Sequence, residues 1–399
     1  MVKNKIKWLL LCAITAFSFV LVSNQAECNA VNSNSSCYKV NTEDNLQHAI
    51  NVSNKGDSIV ITGNILLSRK LEIPSDKDLT ISNDGQSRMI QRGNDYYIDA
   101  MIVIYKGATL TLRSIGGTDE NPMLIIDGNG DRIDSHRSIV INSGTFNMNT
   151  GVSLQNNKID YYKIGYRDKE GCAVTCYKGS KFNITGGKIS NNQVPWSLTD
   201  HPSYSPAIIH CSENSNIYLS GGQIINNSCH TIIRAIETEA FKMSGGNIVK
   251  NNAVNGIVLD HGSLNISGGN ISDNDNNENY VRGVYLACGK FNMSGGNISK
   301  NHIGVYLAYG RFNMSGGSIS ENNVGVYSWF GSFLIPSGGS ITKNEYGVML
   351  NSELYSSHYG LEVYNTESCR KSIYNNKYDI EKWNRFYAPS PQSLKLRSS

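Results

Sequence analysis

The chain has 399 residues, of which 39% are hydrophobic and only 17% are charged, and its formal net charge is +3. This hydrophobic content is enough to build a packed core, which excludes an intrinsically disordered chain. No sustained run of basic residues is present, so binding of nucleic acid or anionic membranes through bulk charge is excluded as well. Gly, Asn, Ser and Tyr are abundant, which favours short strands joined by turns.

Residues 1–30 are typical of a secretory signal peptide. Three lysines within the first seven residues precede an apolar run over 8–22, and small residues follow at Ala26 and Ala30. The run is about fifteen residues, short for a membrane span of about twenty, and a retained anchor is the alternative. Cleavage removes three lysines and one glutamate and leaves a net charge of about +1. We therefore expect an extracellular protein, secreted or associated with the cell surface, with no membrane span in the mature chain.

Seven cysteines remain after such a cleavage. They are Cys37, Cys172, Cys176, Cys211, Cys229, Cys288 and Cys369. Their odd number and irregular spacing do not match a metal knuckle or a redox motif. We expect most of them to fill the core, with one or two disulfides permitted by an oxidising compartment, and no zinc site.

Residues 31–56 hold a leader and a predicted amphipathic helix. Four positions share one helical face: Leu46, Ala49, Ile50 and Ser53. Thr42 or Asn41 is expected to cap its start, and Gly56 to end it. Such a helix would cover the open end of the core that follows.

Residues 57–352 are predicted to be strands. The first strand-like segments are DSIVITGNI, KLEIP, DLTIS, MIVIYKGATLTLRSI and MLIIDGN. A repeat then sets in: a Gly-Gly pair preceded by Ser or Thr recurs seven times, 21 to 35 residues apart. The second glycines are Gly187, Gly222, Gly246, Gly269, Gly296, Gly317 and Gly339. The segment TFNMNTGVSLQNN at 145–157 is an imperfect eighth copy.

An isoleucine stands two positions, and an asparagine five positions, after each second glycine. FNMSGGNISKN at 291–301 and FNMSGGSISEN at 312–322 are nearly identical copies. Within the first copy, Phe291 and Met293 share one face, and Ile298 is the repeated isoleucine. We interpret these three as core residues, the glycines as turn formers, and Asn301 with its equivalents as a turn residue with a left-handed backbone that bonds to its stacked neighbours. A row of sugar-binding asparagines is the alternative.

Three short strands in 21–27 residues match one turn of a parallel β-helix, an all-β solenoid. A propeller needs blades near forty residues, and a sandwich does not need a repeated motif, so both fit less well. After Leu350 the period fades. We predict a last turn or cap and a mobile tail over 353–399.

The chain resembles right-handed parallel β-helix proteins of the pectate-lyase-like superfamily, and most of all secreted and surface repeat proteins of Gram-positive and related bacteria. The resemblance covers about residues 40–352. It lies in the helix before GDSIVITGNI, in KGATLTLRSI and MLIIDGNGDRID, and in the FNMSGGxIxxN series with GVYLA between copies. It implies the fold, with three strands per turn, and the extracellular location. It does not imply one activity, since lyases, hydrolases and adhesins share this fold.

The GVYLA strands have an outward third position that can be aligned across turns. The first outward row is Thr175, His210, Arg234, Val258, Tyr285, Tyr306 and Tyr327. A second outward row includes Tyr177, Asp260, Ala287, Ala308 and Trp329. Stacked Tyr285, Tyr306 and Tyr327 beside Trp329 predict a flat aromatic strip that binds sugar faces or a protein partner. The alternative is an aromatic ladder that only stabilises the sheet.

The catalytic motifs of polygalacturonase-like and pectate-lyase-like enzymes are not in place. DHGS at 260–263 and WSLTDH at 196–201 match these motifs only in part. His210 with Arg234, near Asp260, is the best acid–base candidate.

Two acidic segments are candidate Ca²⁺ sites. The first contains Asp127, Asp131, Asp134 and His136, and the second contains Asp273, Asp275 and Glu278. Oxygen-rich loops of this kind bind calcium, although an acidic turn can equally be solvated. No other cofactor is expected.

We therefore expect an adhesin-like or carbohydrate-binding scaffold, with a polysaccharide or a host or cell-surface ligand as its partner. The alternative is a polysaccharide lyase or glycoside hydrolase, which needs the acids and bases above to converge in one groove. No Leu-Pro-x-Thr-Gly sorting motif and no C-terminal apolar segment is present in the sequence, so we expect free secretion or non-covalent retention.

Overall fold

The computed structural model describes residues 35–96, 99–132, 137–159, 171–195, 207–274, 281–329, 332–351, 371–383 and 392–393. Over these residues the chain forms one helix, α1 (Glu43–Val52), and strands β1 to β28. Each strand pairs with its equivalents one turn before and one turn after it, which produces three stacks of strands. All pairings between these strands are parallel, except the antiparallel pair β27–β28. The chain is therefore a parallel β-helix, as predicted.

The first stack begins with β1 (Cys37–Val40), β2 (Ser58–Ile61), β5 (Asp78–Asn83), β8 (Thr109–Arg113), β11 (Thr145–Met148), β14 (Lys181–Ile184) and β17 (Asn216–Leu219). The second begins with β3 (Ile65–Leu67), β6 (Arg88–Arg92), β9 (Leu124–Asp127), β12 (Val152–Gln155), β15 (Lys188–Ser190) and β18 (Gln223–Ile225). The third begins with β4 (Leu71–Ile73), β7 (Ile102–Ile104), β10 (Val140–Asn142), β13 (Gly171–Cys176) and β16 (Ala207–Cys211).

Three long strands then run through all three stacks: β19 (Ser228–Val249), β20 (Asn252–Ser272) and β21 (Arg282–Ser299). The third stack continues with β22 (Ile303–Leu307), β24 (Val324–Ser328), β26 (Tyr346–Asn351), β27 (Tyr378–Trp383) and β28 (Gln392–Ser393). The other two stacks continue with β23 (Arg311–Ser320) and β25 (Phe333–Thr342). The described part of the chain contains no helix long and apolar enough to cross a membrane.

The core is a set of ladders of like side chains, because equivalent strands lie in register about 4.8 Å apart. Phe291, Met293 and Ile298 are fully buried, as predicted. The Phe291 ring stacks on that of Phe312 in the next turn, with ring centroids 4.4 Å apart and planes inclined by 6°. Residues between the buried positions point outward, where Asn313 donates to Asn292 at 2.8 Å. Repetition of the sequence therefore reflects repetition of the packing.

Helix α1 packs on the first turn of the solenoid, and its apolar face lies in the main core. Thr42 caps its start, with Oγ1 accepting from the amide of Asn45 at 3.3 Å. The helix ends at Val52, and its C-cap is Ser53, three residues before the predicted Gly56. Lys77, from a later strand connection, donates through Nζ to the carbonyls of Asn51 at 2.9 Å and Ser53 at 2.7 Å. A buried ammonium group thus satisfies the helix C-terminus, which the local sequence could not indicate.

The two glycines of each pair have different roles. At Gly295, an added Cβ would lie 2.2 Å from the carbonyl oxygen of Ser267 in the preceding turn, so a side chain cannot fit. Gly296 has a φ of +82°, a left-handed conformation that side chains disfavour. The first glycine permits close stacking and the second permits the turn, and neither forms a binding loop.

The repeated asparagines form a buried hydrogen-bonded ladder. The Asn227 Oδ1 accepts from the backbone amide of Asn192 at 3.0 Å. The Oδ1 atoms of Asn251, Asn322 and Asn344 accept in the same way from the ladder residue one turn earlier. The ladder ends at Asp379, whose Oδ1 accepts from the amide of Asn376 at 3.1 Å.

The predicted backbone conformation of the ladder asparagines is wrong in one respect. The left-handed residue is the one before the ladder position, such as Asn226 with a φ of 58° and Lys250 with a φ of 54°. The ladder asparagine itself points its amide inward and bonds to carbonyls. The row is therefore structural and is not a sugar-binding surface.

Candidate binding surface

The outward row of the third stack is aligned as the sequence predicted. The register places side by side Thr175, His210, Arg234, Val258, Tyr285, Tyr306 and Tyr327, one per turn, and continues to Met349. Alternation along each strand explains this, since Val284 and Leu286 beside Tyr285 are both fully buried in the core. One face of the solenoid thus presents a continuous column of non-identical side chains.

The aromatic members of this column form a cluster that is not uniformly flat. Tyr285 and Tyr306 meet edge to face, with centroids 5.1 Å apart and planes inclined by 78°. Tyr306 and Tyr327 are stacked, at 5.0 Å and 16°. Trp329 is tilted by 35° against Tyr327, at 6.2 Å. The aromatic cluster, as we call Tyr285, Tyr306, Tyr327 and Trp329, therefore has a flat part at its later turns only.

Arg282 accounts for the edge-to-face orientation of Tyr285 against Tyr306. Its guanidinium carbon lies 5.3 Å from the Tyr285 centroid and 4.8 Å from the Tyr306 centroid, a double cation–π contact. Its Nη1 donates to Asn255 Oδ1 at 3.2 Å. Burial lowers the pKa of Arg282 and raises the pKa of Tyr285 and of Tyr306. The sequence interpretation missed Arg282, although the segment RGVYLA places an arginine three residues before a tyrosine of the column.

A second apolar cluster supports these rings from outside the main core. Ile303, Val324 and Tyr327 are buried there, and Tyr346 and Met349 pack against them. Tyr327 is only 8% exposed although it points away from the core. It is a supporting residue, and the accessible aromatic surface lies at Trp329 and at the edges of Tyr285 and Tyr306.

Tyr309 adds an exposed ring that the sequence interpretation did not select. It lies at the corner between the third and first stacks and is 55% exposed. Its backbone amide donates to the carbonyl of Ala287, and that of Trp329 donates to the carbonyl of Leu307 two positions before Tyr309. Tyr309 and Trp329 thus belong to adjacent turns at one corner.

The three catalytic candidates lie on neighbouring turns. His210 is directly opposite Arg234 in register, and Asp260 is opposite Ile236, two positions after Arg234. Burial lowers the pKa of Arg234, and the charge of Asp260 opposes this shift. His210 is 4% and Arg234 5% exposed, so a substrate would reach little of either side chain.

Asp127 and Asp131 lie together, whereas Asp134 and His136 fall outside the described residues. The side-chain amide of Asn156 donates to a carboxylate oxygen of Asp127 at 3.3 Å and of Asp131 at 3.2 Å. Asp127 is 4% exposed, and it also accepts from the backbone amide of Asn129 at 2.8 Å and from the side-chain amide of Gln155 at 3.0 Å. These donors occupy lone pairs that a cation would use, and calcium at this segment remains a prediction.

The second acidic segment lies largely outside the described residues, which end at Asn274 and resume at Val281. Asp275 and Glu278 fall in that interval. Asp273 is exposed and has a φ of 53°, which makes it the left-handed residue before the ladder position Asn274. Its position therefore follows from the turn, and calcium at this segment also remains a prediction.

A one-residue register shift changes the second outward row. The shift falls between Leu259 and Asp260, and it places Cys288, rather than the predicted Ala287, opposite Asp260. Asp260 Oδ1 and His261 Nδ1 are 2.9 Å apart. Carboxylate, imidazole and thiol offer one ligand atom each, all within 4.8 Å of one another. Burial, and then the charge of Asp260, raise the pKa of Cys288.

The comparisons with protein-family models, with curated proteins and with solved structures found no match to this chain.

Proposed function

We propose that this chain is a secreted or cell-surface β-helix protein of the pectate-lyase-like kind, acting as an adhesin-like or carbohydrate-binding scaffold. The observation that carries the proposal is the aromatic cluster with Tyr309, at one corner of a rigid solenoid. Flat aromatic faces pack against the apolar faces of sugars, and their polar edges supply hydrogen bonds. Turns 4.8 Å apart would present such faces at intervals along an extended chain.

The electrostatics of the surface favour a neutral ligand. Arg282 is partly buried between two rings and bonded to Asn255, so its charge is engaged within the protein. Tyrosine is protonated near neutral pH even at its ordinary pKa. Burial raises the pKa of Tyr285 and of Tyr306 further, so their hydroxyl groups stay neutral. A neutral aromatic surface with hydroxyl groups suits uncharged sugars better than it suits anionic polymers.

An extracellular location is supported by the sulfur chemistry. Cys37 is disulfide-bonded, whereas Cys172, Cys176, Cys211 and Cys229 are free thiols sealed in the core. A disulfide persists in an oxidising compartment, where buried thiols are protected from oxidation by their inaccessibility. This agrees with the signal-peptide pattern of residues 1–30.

A polysaccharide lyase or hydrolase is the second candidate, because His210, Arg234 and Asp260 lie on neighbouring turns of the same face. The low exposure of the first two weakens this candidate. Catalysis needs the acid and base within hydrogen-bonding reach of the substrate.

One experiment separates the two functions. The purified mature protein is screened against a panel of neutral and acidic polysaccharides, with both binding and new reducing ends or unsaturated products recorded. Binding without product, lost in Trp329→Ala and Tyr309→Ala but kept in Tyr218→Ala, supports the scaffold. Tyr218 is the matched control because it is a partly exposed tyrosine on the first stack, also flanked by cations. Product formation that Asp260→Asn abolishes would establish the enzyme instead, and absence of all binding would refute the proposal.

A further inference from the structure

Asp260, His261 and Cys288 form a compact group at the corner between the third and first stacks. Asp260 and His261 end one turn of the third stack, and Cys288 ends the next. Their ligand atoms lie within 4.8 Å of one another. The group is accessible, since the side chains of Asp260 and His261 are 36% and 61% exposed.

Two features of the backbone create the group. Neighbouring residues in a strand point to opposite faces, so the carboxylate and imidazole of residues 260 and 261 would normally diverge. Here His261 has a φ of 63° and Gly262 a φ of +94°, and this turn brings the imidazole back beside the carboxylate. The register shift then places Cys288 against Asp260 from the adjacent turn. The equivalent residue one turn earlier, Glu237, also has a left-handed backbone, with a φ of 47°. The turn is therefore a recurring feature of the fold, whereas the Asp-His pair is not repeated in that earlier turn.

The donor set has a definite chemical preference. Thiolate, imidazole and carboxylate together suit zinc and similar borderline divalent ions, whereas calcium and magnesium prefer oxygen ligands only. Zinc ligands lie about 2.0–2.3 Å from the metal. Ligand atoms within 4.8 Å of one another need only side-chain rotations to approach that arrangement. Three protein ligands leave a fourth tetrahedral position for water or another ligand.

Cys288 differs from the other free cysteines. Four of the five free thiols within the described residues, Cys172, Cys176, Cys211 and Cys229, are fully buried, while Cys288 is partly exposed. Those four are core residues, as the sequence predicted. The prediction concerned most of the cysteines and left room for an exception. The partial exposure of Cys288 makes it the thiol of this set that a metal ion from solvent can reach.

We propose that Asp260, His261 and Cys288 bind a zinc-class divalent ion, with one coordination position open to solvent. Cys288 binds as the thiolate, and its proton passes to solvent when the metal enters. The site is independent of the sugar-binding proposal, because it uses none of the aromatic residues.

The test is a titration of the reduced, chelator-treated full-length mature protein with Co²⁺, followed by competition with Zn²⁺. The expected result is one equivalent of Co²⁺ bound, with a thiolate-to-cobalt charge-transfer band and intense visible bands typical of tetrahedral cobalt. Both signals should disappear when Zn²⁺ is added. Cys288→Ser should remove the charge-transfer band. Asp260→Asn and His261→Gln should each weaken binding by more than about tenfold, since even outer-shell partners of a metal contribute that much.

His48→Gln is the matched control, because His48 is an exposed histidine on α1, away from the corner. It should bind Co²⁺ like the unaltered protein. The circular dichroism spectrum of each variant checks its fold, and the unaltered protein is by itself sufficient to refute the proposal. A missing charge-transfer band at saturating Co²⁺, while a thiol reagent still reacts with Cys288, would overturn it. So would a band that persists in Cys288→Ser.

Discussion

Replacing one ladder asparagine tests the structural part of this account. Asn227 is 1% exposed and makes five side-chain contacts. Its Oδ1 accepts from the backbone amide and the side-chain amide of Asn192, both at 3.0 Å. Its Nδ2 donates to the carbonyls of Ile189 at 2.9 Å and Ile225 at 3.2 Å, and to Asn251 Oδ1 at 3.0 Å. Asn227→Ala removes all five.

The expected loss follows from the groups that are left behind. The backbone amide of Asn192 stays buried and loses this acceptor, which costs about 1–3 kcal/mol. The lost donations to carbonyls add about 1 kcal/mol, so we expect a total near 3 kcal/mol. In a stacked solenoid each turn contacts only its neighbours, and the turns flanking residue 227 should therefore open first.

The matched control is Asn292→Ala, in the outward ladder. Asn292 donates to Asn265 at 2.8 Å and accepts from Asn313 at 2.8 Å, but it faces solvent, so water replaces both partners and the loss stays under about 1 kcal/mol. Equilibrium urea unfolding measures both variants, and hydrogen exchange locates the opening. Equal losses in the two variants, or a loss under about 1 kcal/mol for Asn227→Ala, would refute the reasoning.

Three further predictions follow from the geometry. Gly295→Ala should destabilise the protein by about 3 kcal/mol, because its Cβ would lie 2.2 Å from a carbonyl oxygen. Gly179→Ala, at a φ of +76° in open space, should cost only about 1–2 kcal/mol. Thermal unfolding compares the two variants, and equal shifts in melting temperature would contradict the close-stacking role of Gly295. Lys77→Met should cost about 1–3 kcal/mol and speed amide exchange in α1, and unchanged exchange would exclude the capping role. Burial, and then the charge of Arg282, lower the pKa of His302. The unfolded chain therefore takes up the proton first as the pH falls through about 6.5, so stability should decline there and His302→Gln should flatten the decline in pH-dependent unfolding.

Repetition made the fold predictable from sequence. A stacked position is surrounded by copies of itself, so Phe291, Met293 and Ile298 reveal their common burial by recurring together. The outward column was predictable for the same reason, because strand alternation fixes which face Tyr306 occupies once the repeat is aligned.

Features that depend on contacts between different turns were not predictable. The strand β6 (Arg88–Arg92) was missed because it ends in an arginine that is fully buried. Arg92 is accommodated by the carbonyls of Asp99 at 2.6 Å and Ser138 at 3.3 Å, and burial lowers its pKa to about 10. Ser138 follows Arg92 by 46 residues, and no local sequence pattern indicates a partner at that distance.

The candidate metal group shows the same limit. An alignment without slippage pairs Asp260 with Ala287, and only the register shift brings Cys288 to the carboxylate. Such a shift depends on the packing contacts between two adjacent turns, and neither composition nor spacing indicates those contacts.

The affinity of the purified protein for the best polysaccharide of the panel, measured by titration calorimetry, tests the central claim most directly. Loss of one stacked ring should weaken binding about tenfold, equivalent to about 1.4 kcal/mol. The account predicts that Trp329→Ala and Tyr309→Ala each show this loss while Tyr218→Ala binds like the unaltered protein. Equal affinities for all four proteins would contradict it.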